Sequence, residues 1–417
     1  MLKKIQALFV KTVEHVEKQP TPFIRYYFLF AAILALRLAL EFFSSRRLFT
    51  LDDILHIGLW FTFIVLAFLV QLHLFSGEKI IKVAKLVVVF FSIALTAPVI
   101  DLIITGGVGA KMNYLSLHSW KDIAWSYITI GGSSLSRGAT PGIRIEIALL
   151  VIASFNYVRT KKNSVLKGIV AALSIYTILF LSGAIPFLLG YIVNTFHLQY
   201  QQDDQSTVLL LLMLDVFLFC LALFRHSPSL IYKILSAVPW VAVTIALLLA
   251  GFGASLSLKN YPGNWILTPT TLFWFPLLLI CFVFFVAYAA LQKLQQNTID
   301  KNQYTLAKNA LVLLLLIITC MLSAKIFFSA ALLWGMLFLL NEAPLELRKI
   351  PILSNVIESM ICLAASFAGF CIFNAPMIGF PAIWILIILA AGFAGSAVIA
   401  LLQKKKSEAK KNRTSTF

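Results

Sequence analysis

Apolar runs of 18 residues or more recur along this chain, and that recurrence restricts its fold more than any other feature. A helix of about 20 apolar residues crosses roughly 30 Å of hydrocarbon. Backbone amides in that layer have to be satisfied within the segment, which leaves helices or closed barrels. Stretches such as LLLLMLDVFLFC (209–220) lack the ten-residue apolar–polar alternation of a membrane barrel. Composition agrees, with 60% hydrophobic residues, 12% charged and a mean hydropathy of +0.93, where a soluble domain carries about 25% charge. The sequence predicts an all-α, polytopic membrane helical bundle.

Twelve candidate spans follow: 23–43, 52–75, 83–104, 143–158, 168–190, 207–224, 235–256, 268–291, 309–323, 326–341, 352–373 and 379–402. If the N-terminus is cytoplasmic, 24 of the 34 Lys and Arg lie on the inner side and 8 on the outer, with Arg25 and Arg37 in the first span. The positive-inside rule then predicts that both termini are cytoplasmic. Arg46, Arg47 and Lys111 fall on the other side of that division. The net charge of +17 therefore expresses topology and contact with anionic lipid, not nucleic acid. A plasma (inner) membrane location is expected. Cys220, Cys281, Cys320, Cys362 and Cys371 sit in apolar runs without CxxC spacing, as small packing residues, and no metal site is indicated.

Residues 1–22 are expected to form an amphipathic helix on the inner leaflet. Leu2, Ile5, Leu8, Phe9, Val13 and Val16 share a stripe that Lys3, Lys4, Lys11 and Lys18 largely avoid. The polar loop 191–206, ending QYQQDDQS, suggests a joint between an N-terminal membrane domain (23–206) and a second helical domain (207–402), followed by a basic cytoplasmic tail (403–417). The longest stretch between spans, 105–142, holds TGGVGAK and IGGSSLSRGATPG. Those glycines and Ser133, Ser134 and Ser136 could form an anion-cradling nest, but neither piece is a P-loop, and an outer cap or re-entrant turn is the plainer reading.

Ionisable residues inside spans carry a default functional hypothesis. Arg37 and Glu41 are four apart on the first span and can pair with each other. Asp101 closes the third span, Glu146 opens the fourth beside Arg144, and Asp215 lies alone in the middle of the sixth. Glu358 sits a turn and a half into its own span. Asp101, Glu146 and Asp215 together open the reading of an ion-coupled carrier.

Beyond about residue 225 the chain resembles the UbiA-type superfamily of intramembrane prenyltransferases. SLIYKILSAVPWVAVTIALLLAGFG (229–253) is similar to that family's first helix, and TLFWFPLLLICFVFFVAYAALQ (271–292) to its second. The hairpin at 311–341 resembles the third and fourth helices, and it runs into NEAPLELRKIPILSN (341–355), which resembles the family's basic connector. The resemblance implies an isoprenoid or related lipid as ligand, and Mg²⁺ held by two aspartate-rich segments if catalysis is retained. Those segments are missing here: LQKLQQNTIDKNQYTLAKN (291–309) has Asp300 as its one acid, and QKKKSEAKKNRTSTF follows Leu402. What the resemblance then implies is a lipid-binding, catalytically degenerate relative with no cofactor. Lys293, Asp300, Lys301, Lys308, Arg348 and Lys349 are its candidates for meeting a diphosphate or lipid headgroup. A noncatalytic scaffold for a lipid-biosynthetic membrane partner is the third class left open.

Overall fold

A computed structural model describes residues 2–19, 23–45, 50–110, 113–131, 139–195, 204–237, 240–260, 324–341, 350–371 and 379–414, with scattered positions between 281 and 320. Among the described residues the regular structure is entirely helical. Nine of those helical segments are long and apolar enough to span a membrane. The chain is an integral, multi-pass membrane protein. Twelve spans were expected. Of the three without a counterpart among the nine, 326–341 falls in a shorter apolar helix, and 268–291 and 309–323 lie wholly or largely outside the described residues.

The chain divides into two compact units, Met1–Pro228 and Ser229–Phe417. The expected joint lay near 195–228, with the domains drawn at 206/207. Helix α10 (Asp204–His226) packs along α3 (Leu51–Ser76) and so belongs to the front unit. The polar loop before α10 is a connection within one unit.

The front unit begins with α1 (Leu2–Lys18), α2 (Phe23–Ser45) and α3. One side of α1 docks on the bundle: Val13 and Val16 are buried with residues of α3 and of α4 (Ile80–Phe90). Phe9 stacks on Phe90 at 5.6 Å between ring centroids. Leu8 stays exposed, so only part of the expected amphipathic stripe is left to face lipid. The next crossing is not a continuous helix. It runs as α4, a 3-10 turn Phe91–Leu95, and α5 (Thr96–Ile104). Pro98, in the first turn of α5, has no N–H for the carbonyl of Ala94 four residues back, so the α ladder cannot continue unbroken through it.

The short helix α6 (Trp120–Ile128) lies in the 105–142 stretch and starts with a full capping box on Ser119 and Asp122. It then leads to α7 (Pro141–Lys162), α8 (Val165–Gly183) and α9 (Ile185–Thr195). The expected span 168–190 is split between α8 and α9 at Ala184, where Pro186 would clash with the preceding turn of a continuous helix. Tyr127 of α6 reaches Thr177 at 2.9 Å, about two turns inside α8, so α6 leans into the bundle rather than capping its end. The core joins α1, α2, α3, α4, α7 and α8 through side chains such as Phe68, Leu86, Tyr157 and Ile175.

The second unit contains α11 (Pro228–Ala237), α12 (Trp240–Asn260), α13 (Ala324–Asn341), α14 (Pro351–Cys371) and α15 (Ala382–Thr414). α14 packs against α12, α13 and α15. Its contact with α12 is at backbone distance: a Cβ on Gly253 would stand 1.8 Å from the Ser366 carbonyl, and one on Gly369 1.9 Å from that of Ala250. Small residues permit such crossings where lipid leaves no hydrophobic force to drive association.

Candidate intramembrane charge site

The buried stripe of α2 runs through Ile33, Arg37, Glu41 and Ser44, at the three- and four-residue spacing of one helix face. Two charged residues therefore occupy positions that point into the unit. The stripe of α7 does the same through Gly142, Glu146, Leu150, Ser154 and Val158. Placing a charge on a core stripe is costly unless partners meet it there.

They do. Arg37, only 2% exposed, places one guanidinium nitrogen 3.3 Å from Glu41 and another 3.4 Å from Glu146. The second nitrogen also donates to the carbonyl of Ala94, the acceptor that Pro98 leaves free. The Phe61 ring lies beneath the guanidinium, 5.4 Å from its carbon to the ring centroid. One arginine thus ties together α2, the break in the third crossing, and α7.

Asp101 holds the neighbouring joint. Its carboxylate accepts from the Thr140 hydroxyl at 2.5 Å and from the Gly142 N–H at 2.8 Å. Thr140 in turn accepts from the Ile143 N–H at 3.2 Å. Asp101 and Thr140 thereby satisfy donors at the start of α7 that have no partner within the helix, where a negative charge is favoured. Gly142 makes the approach feasible, since a Cβ there would meet the Ala97 carbonyl at 2.1 Å. With α7 pinned at Gly142, Glu146 falls one turn further along the same face, directed at Arg37.

A cavity of about 30 Å³ borders Glu146, lined also by Phe61, Phe91, Ala94, Leu150 and Ser154. At about 10–15 Å³ per water, its volume equals that of about two water molecules. Ser154 turns its hydroxyl to the Leu150 carbonyl at 2.7 Å, leaving Glu146 as the polar group with capacity toward that space.

Four of the five intramembrane candidates, Arg37, Glu41, Asp101 and Glu146, thus gather in one region. The fifth, Asp215, does not join them. It is buried on α10, and among the described residues neither of its carboxylate oxygens has a hydrogen-bond partner. Lys293, Asp300, Lys301, Lys308, Arg348 and Lys349 lie outside the described residues. Sequence reasoning missed Ala94, Pro98, Thr140 and Gly142. The stripe Gly142–Glu146–Leu150–Ser154 was the available signal, because Glu146 interrupts an otherwise small and apolar face.

A second ionic group sits at the opposite end of α7. Lys161 pairs with Glu17 of α1 and lies 3.6 Å from Glu78, which also meets Lys82 at 3.2 Å. Tyr157 donates to Glu17 at 3.1 Å, and Lys85 donates to the Gln19 carbonyl at 2.7 Å. Burial pushes the Glu78 carboxyl up, but the Lys82 hydrogen bond and the Lys161 charge outweigh it, and its pKa is below the ordinary glutamate value of 4.5.

No family model, curated protein or solved structure matches the chain.

Proposed function

We propose that the protein is an ion-coupled membrane carrier whose coupling site is the Arg37–Glu41–Glu146 group. The observation that carries this reading is a buried guanidinium bracketed by two carboxylates at a broken spanning helix. Interrupted helices expose backbone polar groups at the depth where carriers hold ions and substrates. Charges kept inside a membrane domain face one another or a water-filled space, and Glu146 faces Arg37 and borders a cavity. The experiment is uptake by proteoliposomes from a mixture of small metabolites under an inward-directed pH gradient, with the lumen analysed by mass spectrometry. Accumulation that needs the protein and is lost in Glu146→Gln supports the reading. Contents identical to those of empty liposomes overturn it.

A second reading, binding of an isoprenoid or related lipid by the second unit, draws on the resemblance at 225–402. One feature favours it: α13 and α14, which flank 342–349 in the chain, pack against each other. Mass spectrometry of lipid co-purified with the protein tests it, and the absence of any polyprenyl species would end it. On this reading the chain releases no diphosphate from allylic substrates with Mg²⁺. Turnover that disappears in Asp300→Ala would restore a prenyltransferase. The scaffold role for a lipid-biosynthetic partner, and the plasma membrane as location, rest on the same sequence features.

A further inference from the structure

We infer that Asp215 is a proton-binding site built into the seam between α3 and α10, and that the proton it carries holds the seam closed. That role is separate from the carrier site at Arg37, Glu41 and Glu146, and it holds whether or not that site couples transport. Asp215 stands nine residues after Ser206 and eleven before His226, the ends of its span, or roughly 14 and 16 Å from them at 1.5 Å per residue. Leu211, Asp215, Leu218 and Ala222 follow one another at intervals of four, three and four, which puts them on one helix face. That face is docked: Ala222 is buried with Val70 of α3 and Ile80 of α4, and Leu218 packs against them. Asp215 itself is 6% exposed.

A carboxylate at such depth is kept where a cation, a set of donors or water meets it. Among the described residues neither oxygen of Asp215 accepts a hydrogen bond. The described elements packed against α10 are α3, α4 and α9, and their titratable groups are engaged elsewhere. On α3, Asp53 caps its own helix, His56 meets Tyr114 at 2.6 Å, and His73 meets the Glu78 carbonyl at 2.7 Å. On α4, Lys82 pairs with Glu78 and Lys85 donates to the Gln19 carbonyl. Tyr191 of α9 lies edge-on to Trp120. On α10 itself, Cys220 is exposed, and Arg225 and His226 belong to the last turn. Asp52 and Asp204 stand in the first turns of α3 and α10. None of these groups brings a charge to bear on Asp215.

What remains is neutralisation at the group itself. An ionised carboxylate without partners is among the costliest groups to bury, and protonation reduces that cost to the smaller one of an unpaired hydroxyl. A proton needs no coordination shell. Calcium and magnesium want six or more oxygens, and among the described residues no group of three His, Cys, Asp or Glu side chains could hold a metal ion. The closed seam therefore binds the proton, and ionisation requires water between α3 and α10 at that depth. The two events are reciprocal: opening the seam releases the proton, and removing the proton opens the seam. Because the closed state holds the proton, it is favoured in acid and lost as pH rises. Where the open seam has lost the proton and the closed one retains it, the closed-to-open ratio falls about tenfold per pH unit.

The test uses the full chain in nanodiscs. Infrared difference spectra between acid and alkaline buffer identify the Asp215 acid as the protonated-carboxyl stretch that is missing in Asp215→Asn. Over the same pH range, spin labels on Leu74→Cys and Phe224→Cys, both at exposed positions, report the separation of α3 and α10 by pulsed electron paramagnetic resonance, with the five native cysteines replaced by alanine. The Asp215 band should disappear as pH rises, and the separation should grow over the same interval. Asp215→Asn, neutral at every pH, should keep the short separation throughout. If Asp215→Asn does not fold, Asp215→Glu assigns the band by displacing it, and the coincidence of band loss and separation in the parent chain decides. A carboxyl stretch that neither variant alters means that Asp215 is ionised, and it overturns the inference. So does a separation indifferent to loss of the band, or one that grows equally in Asp215→Asn. Replacing sodium with choline should leave the transition where it is, and a transition that moves with sodium would assign the site to a metal cation instead.

Discussion

Removing Arg37 should do more damage than removing either glutamate. Arg37→Ala leaves two buried carboxylates facing each other, and stranding a buried charge costs about 3–5 kcal/mol. Glu146→Gln keeps the shape and leaves Arg37 its pairing with Glu41. The thermal midpoint in detergent should therefore fall sharply for the first and stay near wild type for the second. At the neighbouring joint, Asp101→Ala orphans the Thr140 hydroxyl and the Gly142 N–H, a loss of about 1–3 kcal/mol. Asp101→Asn retains a side-chain acceptor and should lose less, which the same melting measurement decides. The sequence named Arg37, Glu41, Asp101 and Glu146 because charge in an apolar run is visible without coordinates. It left open whether Arg37 paired only along its own helix, because pairing with Glu146 depends on how α7 is seated. That seating comes from Gly142, whose need to lack a side chain is set by a carbonyl 45 residues away in the chain, Ala97.

Pro98 is the clearest case of a local rule with a distant effect. Pro98→Ala would restore the N–H that reaches Ala94, in competition with Arg37. Proline is about 3 kcal/mol less favourable than alanine inside a helix, and less so in its first turn. The variant should melt higher than wild type yet accumulate less solute in vesicles, the usual conflict between regular structure and a strained site. The second unit allows a simpler comparison. Gly369→Val places atoms where the Ala250 carbonyl stands, whereas Gly335 has nothing within 4 Å of an added Cβ. Yield and monodispersity in detergent should collapse for Gly369→Val and hold for Gly335→Ala. Helices were legible from hydropathy; their interruptions at 91–95 and 184 were not, because each falls inside a run that is apolar throughout. Pro98 and Pro186 were the marks available.

At the scale of the whole molecule, α1 is fastened by ionic contacts at one end of the front unit. Glu78 titrates below the ordinary glutamate value, so its pairing with Lys82 and Lys161 stabilises fully above that value and is lost as pH falls through the lowered one. Protection of residues 2–18 from hydrogen exchange, taken relative to each amide's intrinsic rate at that pH, should be high at neutral pH and fall in acid, and Lys161→Met should show the acid behaviour at neutral pH. Unchanged exchange in Lys161→Met would mean that Val13 and Val16 suffice to hold α1. Sidedness is decided by labelling cysteines placed at Gln202 and Lys404. The expected topology puts the first outside and the second inside, and the opposite pattern would invert it. That α10 packs on α3, within the front unit, was not legible in the polar loop before it.

The position of Arg37 and Glu41 within a single helix also bears on how the protein is made. A spanning segment is released from the translocation channel into lipid according to its own summed transfer energy. The thirteen Leu, Phe and Val residues of α10 contribute roughly −4 to −8 kcal/mol against about +3 for Asp215, so α10 enters alone, whatever its carboxyl later meets. The twelve Leu, Ile and Phe residues of α2 supply roughly −4 to −7 kcal/mol, which Arg37 and a second charge at Glu41 nearly cancel. Glu146 is not synthesised until more than a hundred residues later. Of these two carboxylate partners, only Glu41 is available when Arg37 first meets lipid, which makes insertion of α2 a step where synthesis of this chain is more easily lost than at α10.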